Sequence, residues 1–273
     1  MRIDEIQDIT YAKEENGICT ITLNTPKRKN AMSYVTFLEI ETVLTDMEGD
    51  KNAKVLIITG NPEANAFSSG GYFNMKMYSS IPPEIMKDID LMDIGQKRLC
   101  MKFWNFSKPV IAAINGLAVG AGFTMPLAGA DLIYMAEDAW IGLSFVKRSV
   151  IAEFSANFLL PFYVGFQKAK EIVYFGERIS ASEAEKLGLV NKVVPSEDLI
   201  PYSREQALRL IPPKGPSLSI KLMKRTMHNY FSDIVSKTLD IENQGLRDLI
   251  KTHDFRESLK ALSQKRDPIF KGK

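Results

Sequence analysis

Residues 108–122 read KPVIAAINGLAVGAG. The run 109–114 is short, continuous and apolar, the pattern of a strand buried on both faces. Residues 115–122 form a Gly-rich turn, and an apolar, helix-like segment follows it as far as Gly129. A helix opening at such a turn offers unpaired N–H groups and a partial positive charge. The glycines Gly116, Gly120 and Gly122 do not follow the G-x-G-x-x-G order of a dinucleotide-binding turn. Close helix–sheet packing by small residues is the other reading of the same pattern.

Working outward, similar apolar runs predict strands at 18–23, 54–60, 132–135, 140–143 and 189–194. Between them lie helical patterns. One opens after TPKRKNAMS (residues 25–33), with Ser33 as N-cap and Val35, Leu38, Val43 and Met47 at helical spacing. Others cover parts of 83–106, the segment after Glu153 (broken by Gly165) and the segment capped by Ser180. From Ser196 onward strands vanish. Pro212, Pro213, Gly215 and Pro216 punctuate two helical segments, the last spanning about 234–264. The expectation is an α/β core over 1–195 and a helical appendage over 196–273.

Composition narrows the function. The 273 residues are 45% hydrophobic and 25% charged, with net charge +2. That balance supplies no electrostatic case for nucleic acid or an acidic membrane. Cys19 and Cys100 sit in apolar runs, which predicts two buried free thiols. His228 and His253 join no Cys/His cluster, so no metal site is expected. The stretch MRIDEIQDIT has no apolar core of a signal peptide, KGK is not a peroxisomal address, and no run reaches membrane-spanning length. The expected compartment is the cytoplasm.

A second motif, AFSSGGYF (residues 66–73), follows the 54–60 strand. Its small residues, Gly70 and Gly71 among them, let the backbone approach a ligand and aim an N–H at an anion. Taken alone, it reads equally as an ordinary turn.

Together these stretches resemble the crotonase (enoyl-CoA hydratase/isomerase) superfamily. TPKRKNAMS is similar to the family's N-x-P-x-x-x-N-A-[ML] segment, and AFSSGGYF to its F-x-x-G-x-D turn. KPVIAAINGLAVGAG is similar to K-P-x-I-A-x-[IV]-N-G-x-[AC]-x-G-x-G. FRESLKALSQKRDPIFKGK (residues 255–273) is similar to the family's C-terminal pattern. The four motifs occur in the family's order and span nearly the whole chain. The resemblance implies a crotonase (ClpP-like) spiral of β-β-α units with a C-terminal helical trimerisation region. It also implies a homotrimer or homohexamer and an acyl-CoA substrate of fatty acid metabolism. No separate cofactor is implied, since coenzyme A enters as part of the thioester. The thioester oxygen would lie between the N–H groups of Gly71 and Ala121, an oxyanion hole whose donors are each worth ~10²–10³ in rate. Tyr72 stands where the family usually has Asp. The loop Lys27, Arg28 and Lys29 matches the family's nucleotide-binding loop, although basic loops are often merely solvated. Ala66 and Ser68 match the adenine pocket, Gly70 and Gly120 flank the donors, and Lys271 or Lys273 would reach a neighbour's CoA phosphate.

Fold does not fix the reaction. Hydratases of this superfamily carry two glutamates that position and deprotonate water. The matching positions here are Thr124 and Phe145. A different acid, Glu153, follows Phe145 by eight residues in SFVKRSVIAE. The pattern resembles the P-F-x-x-L-G-x-x-x-E of the Δ3,Δ2-enoyl-CoA isomerase branch, with Ser144 for Pro and Ser149 for Gly. The 1,2-epoxyphenylacetyl-CoA isomerase branch has Asp there. The apolar residues Val150, Ile151, Ala152, Phe154, Phe158 and Leu159 around Glu153 predict a raised pKa and a better base. Read from the residues alone, a first-turn Glu favoured by a helix dipole is the rival. The function implied is an isomerase moving a double bond from Δ3 to Δ2 by a 1,3-proton shift. The alternatives are hydration, ring or epoxide isomerisation, or non-catalytic acyl-CoA binding. Three further expectations follow. Glu177 and Arg178 form a surface pair. Met75, Met77, Met86, Met92 and Met101 line an acyl wall, or simply pack in the core. A π-bulge or a helix end near Pro126 absorbs one residue beyond the usual family spacing before Asp131.

Overall fold

Continuous apolar runs with no polar alternation can only form strands covered on both faces, and these runs make the spine of the protein. The computed structural model describes residues 1–72 and 81–273. A six-stranded sheet has the order β1 (Ile9–Lys13), β2 (Ile18–Leu23), β3 (Val55–Gly60), β5 (Val110–Ile114), β7 (Leu132–Ala136) and β10 (Lys192–Val194). Only β1 is antiparallel to its neighbour; the other pairings are parallel. Every residue of β3 and β5 is buried. A second, four-stranded sheet has the order β4 (Ala66–Ser68), β6 (Leu117–Val119), β8 (Trp140–Gly142) and β9 (Arg178–Ser180).

The alternation defines the architecture. In β3/β4, β5/β6 and β7/β8 the first strand joins the large sheet and the second joins the small one. Helices separate these pairs, so the chain winds as a spiral of β-β-α units, the expected fold. In chain order the helices are α1 (Tyr34–Gly49), α2 (Pro83–Met86), α3 (Lys97–Asn105), α4 (Ala121–Gly129) and α5 (Ala156–Val164). They continue with α6 (Phe166–Phe175), α7 (Ala181–Lys186), α8 (Leu199–Leu210), α9 (Ser217–Leu249) and α10 (His253–Ser263).

Ser33 caps α1 as its sequence predicts. Its Oγ accepts the Thr36 N–H at 3.3 Å, and Thr36 Oγ1 accepts the Ser33 N–H at 2.9 Å. Ser180 likewise caps α7 through the Glu183 N–H. Gly165, at φ +78°, separates α5 from α6 in a backbone conformation that favours glycine. Both cysteines are buried and free.

Some expectations need correction. The run 189–194 is a strand only over β10, because residues 189–191 are bends that follow the turn at Gly188. The short strands β4 and β6 lie inside stretches that read as turns, and β9 ends on the Ser180 helix cap without having been expected as a strand. Helix α4 is α-helical throughout with Pro126 inside it, so no π-bulge forms. The C-terminal region does not start a helix near 234: α9 runs unbroken for 33 residues and the break falls at 250–252. Residues 217–249 contain no proline, and Thr252 supplies a fresh N-cap through the Phe255 N–H at 3.1 Å. Glu177 pairs with Lys147 at 3.3 Å, and the Arg178 guanidinium lies 4.1 Å from the Trp140 ring centroid, so the two adjacent residues serve different partners.

Beyond residue 195, α8 packs on β3, β5 and β7. Helix α9 packs along α3 and α5. It is fastened by Lys224, only 7% exposed, whose Nζ donates to Asp131 Oδ2 at 2.8 Å and to the Lys108 carbonyl at 2.9 Å. Among the described residues no helix is long and apolar enough to cross a membrane.

Candidate active site

The ends of β4 and β6 bring the two glycine motifs together. Gly70 has φ +98°, and a Cβ placed on it would lie 2.6 Å from the Val119 carbonyl oxygen and 3.7 Å from Ala121 N. A Cβ on Gly122 would lie 2.3 Å from the Ser68 carbonyl oxygen, and one on Gly116 would lie 2.9 Å from Ala66 Cα. Backbone therefore meets backbone with no side chain between, which is why small residues recur in both motifs.

The surrounding N–H groups are nearly all engaged. Gly70 N–H donates to Ser68 Oγ at 3.1 Å, Tyr72 N–H to the Met32 carbonyl at 2.7 Å, and Gly120 N–H to the Gly142 carbonyl at 2.8 Å. Among the described residues, the N–H groups of Gly71, Ala121 and Gly122 have no acceptor. Gly71 is exposed, and Ala121 is the first residue of α4, whose N-terminal amides have no intrahelical partner. Free amides from both motifs at one junction are the kind of donors an oxyanion accepts from.

The loop 25–33 lies along the β4 edge. Asn30 Nδ2 donates to the Ala66 carbonyl at 2.9 Å, Ser68 Oγ to the Asn30 carbonyl at 2.8 Å, and Ser69 N–H to the Lys29 carbonyl at 3.0 Å. Ala66 and Ser68 are thereby fully buried. Lys27 and Lys29 extend into solvent. Arg28 is half-buried, with its guanidinium 2.6 Å from Asp8 Oδ2 and 4.8 Å from the Tyr72 ring centroid. Tyr72, in place of the family's Asp, thus packs against a basic side chain of that loop.

Thr124 and Phe145 both adjoin the Gly120 turn. Thr124 is fully buried, and its hydroxyl donates to the Gly120 carbonyl at 3.3 Å. The Phe145 ring would lie 3.7 Å from a Cβ on Gly120. These side chains place a hydroxyl and an aromatic ring beside the Gly120 turn.

Glu153 is 6% exposed. Burial first, then the nearby charges of Glu242 and Asp93, pushes its carboxyl up to about 8. No described residue hydrogen-bonds that carboxyl. Its position corrects the sequence reading. Glu153 precedes α5 by three residues, in a turn where Phe154 and Ser155 both have φ +58°, so first-turn stabilisation by the helix dipole does not explain it. Phe154 is buried edge-on against Phe37 with centroids 5.9 Å apart, and Ile151 packs against Gly245 of α9.

Glu242, on α9, was not foreseen. It is 1% exposed and accepts from Ser155 N–H at 2.7 Å, Asn157 N–H at 3.1 Å and Asn157 Nδ2 at 2.8 Å. Burial pushes its carboxyl up to about 7 against these donors. No signal in the sequence marks it, because it sits in a polar stretch of a long helix, far from any motif.

Among the methionines, Met86 and Met101 pack partly buried against the core and Met92 is 59% exposed; Met75 and Met77 lie outside the described residues. Among the described residues no group of three or more His, Cys, Asp or Glu converges in a way that could hold a metal ion.

The chain matches the family model described as enoyl-CoA hydratase/isomerase over residues 13–273. It is 30% identical to the crotonyl-CoA hydratase of Syntrophomonas wolfei over 264 residues, covering 97% of this chain and 98% of that one. It is 28% identical to the 1,2-epoxyphenylacetyl-CoA isomerase of Escherichia coli over 260 residues, covering 95% and 97%. Among solved structures, an enoyl-CoA hydratase from Mycobacterium avium subsp. paratuberculosis superimposes with TM-score 0.83 at 25% identity, covering 97% of this chain and 99% of that one. One relative is named a hydratase and another an isomerase, so the choice of reaction falls to the side chains.

Proposed function

This chain belongs to the enoyl-CoA hydratase/isomerase family, and we propose that within it the protein moves a double bond from Δ3 to Δ2 of an acyl-CoA thioester, with Glu153 as the proton shuttle. The observation that carries the reading is the buried carboxyl of Glu153, with no hydrogen-bond partner among the described residues and pushed up to about 8, in a chain that has Thr124 and Phe145 at the two positions matching the hydratase glutamates.

The thioester oxygen accepts from the Gly71 and Ala121 N–H groups. Ionised Glu153 removes a proton from C2, and the C–H electrons pass into the carbonyl to give a dienolate, with its oxyanion held by the two amides. Protonated Glu153 returns the proton to C4. The C3–C4 double bond becomes single, the C2–C3 bond becomes double, and the acid regains its starting charge. One carboxylate suffices because no water is added. A base near its own pKa at working pH is efficient in both directions of transfer.

Exposed Lys27 and Lys29 meet CoA phosphates beside the backbone of Ala66–Ser68, with Lys271 or Lys273 of a neighbouring copy completing the contact. No resident cofactor enters the scheme. Assembly as a homotrimer or homohexamer is supported by the apolar residues on α5, α6 and α9: Phe162 is 64% exposed, Phe166 67%, Met227 67% and Tyr230 81%. Phe162, Met227 and Tyr230 border a groove of about 790 Å³ that also contains Trp104 and Phe231.

The test is turnover of a panel of 3-enoyl-CoA thioesters in D₂O and in H₂¹⁸O, read by mass spectrometry. Deuterium at C2 and C4 with no ¹⁸O in the product is the expected result. Incorporation of ¹⁸O would assign hydration instead. CoA-ester binding with no turnover on the whole panel would leave only a binding protein.

A further inference from the structure

We infer that Glu242 is a positioning residue for the isomerisation: from α9 its carboxylate grips the turn that carries Glu153 and aims that acid at the reacting carbons. This rests on the reading of Glu153 as the base.

The turn needs an external hold. Two consecutive non-glycine residues, Phe154 and Ser155, sit at φ +58°, a conformation costing about 1–3 kcal/mol per residue. The usual local cap is missing: the Ser155 side chain makes no capping bond, and its Oγ is buried with no partner among the described residues. Glu242 supplies what is missing, from 85 to 87 residues away in sequence. It binds the amides of Ser155 and Asn157, and Asn157 Nδ2 also donates to the Ala152 carbonyl at 3.0 Å. Both sides of Glu153, at 152 and at 155, are thus tied to one carboxylate. All three partners are donors, so the geometry suits the charged form. No Lys, Arg or His pairs with Glu242 among the described residues. A buried carboxylate without a counter-ion is a costly way to end a helix, and its effect on Glu153 gives it a role beyond capping.

The other groups facing this acid pair come from α3 and the turn before it. Asp93 accepts from the Lys97 and Arg98 amides at 2.7 and 2.8 Å and from Asn243 Nδ2 at 3.3 Å. Cys100 is held neutral by burial. The Lys97–Asp240 pair, at 2.6 Å, lies in the more exposed region outside the cluster. Among the charges acting on Glu153, that of Glu242 has the largest effect, ahead of Asp93.

The experiment measures kcat and KM of purified E242Q, E242D, N157A and E153Q on a 3-enoyl-CoA from pH 5 to 10. For E242Q the expectation is a kcat lower by ~10²-fold, the cost of misplacing a reacting group by about 1 Å, with KM nearly unchanged. Its ascending pH limb moves to lower pH, since one raising charge is gone. E242D keeps the charge and the position of the limb and recovers part of the rate. N157A, which removes one donor and no charge, loses about tenfold in kcat. In the E153Q background, E242Q causes no further loss. An unmoved pH limb in E242Q, or losses that multiply with those of E153Q, would overturn the inference. So would N157A at full rate, which settles the matter if E242Q does not fold. Failure of the underlying reading is separate: E153Q alone would then remain active.

Discussion

Gly70 and Ala121 meet where the two glycine motifs converge, with a Cβ on Gly70 standing 3.7 Å from Ala121 N and 2.6 Å from the Val119 carbonyl oxygen. At φ +98° Gly70 also occupies backbone space that L side chains rarely enter. G70A should therefore separate the Gly71 and Ala121 amides, lowering kcat/KM by ~10²-fold or more. It should also destabilise the fold by about 1–3 kcal/mol. Turnover at the wild-type rate would show that these amides do not hold the oxyanion.

The pKa of Glu153 sets the pH profile. A base must be ionised to accept the C2 proton, so kcat/KM should climb with pH through about 8 and level off above it. E153Q should lose about 10²–10⁴-fold in turnover while still binding the thioester in calorimetry. A profile already flat by pH 6 would point to another base.

Stability should move in the opposite direction to activity. The folded carboxyl at about 8 lies above its unfolded value of 4.5, so between these pH values the native state binds more protons than the unfolded state. Stability contributed by this group is full below pH 4.5 and falls as pH rises through 8. Replacing Glu153 by Gln removes that slope. Its melting temperature should match the wild type near pH 4.5 and exceed it most above pH 8. Glu39 and Glu242, both pushed up to about 7, leave a residual slope of the same sign. A mutant that melts lower than the wild type at pH 9 would refute the buried-charge account.

Lys224 holds α9 to the core through Asp131 and the Lys108 carbonyl. K224M leaves Asp131 without its cation and should cost about 3 kcal/mol in chemical denaturation, at the lower end for breaking a buried pair because Asp131 retains some solvent contact. The double variant K224M/D131N should recover part of that loss. A change within about 0.5 kcal/mol would make the pair a spectator.

The proposed assembly is testable on α9. M227E and Y230E place charge on residues that are 67% and 81% exposed in the isolated chain. Sedimentation velocity should show wild type as a trimer or hexamer and the double variant as a smaller species. A monomeric wild type would exclude assembly.

Legibility in the sequence followed the length and range of each signal. Strands β2, β3, β5 and β7 are five or six residues long, mostly apolar and inside the buried sheet, and runs that short, bounded by turn residues, read as strands. Strands β4 and β6 have three residues each and adjoin Ser and Gly, so their propensity is too weak to read. They exist because parallel neighbours pair with them. Glu153 was findable from its spacing to Phe145, yet its backbone was not: the left-handed pair at 154–155 is imposed from outside the segment. Glu242 was invisible because its role consists of contacts made across more than 80 residues of chain.

The side-by-side pairing of β4 and β6 has a further consequence. Gly71 lies three residues past the end of β4 and Ala121 two residues past the end of β6. Adjacent strands run ~4.8 Å apart, and one oxygen can accept from two amides only if they stand within roughly 5.8 Å, twice an ordinary N···O distance. The gauge of the proposed anion seat is thus set mainly by sheet geometry. Tyr72, Thr124 and Phe145 can differ from their counterparts without altering that spacing, so a new reaction needs only new furniture around an unchanged seat.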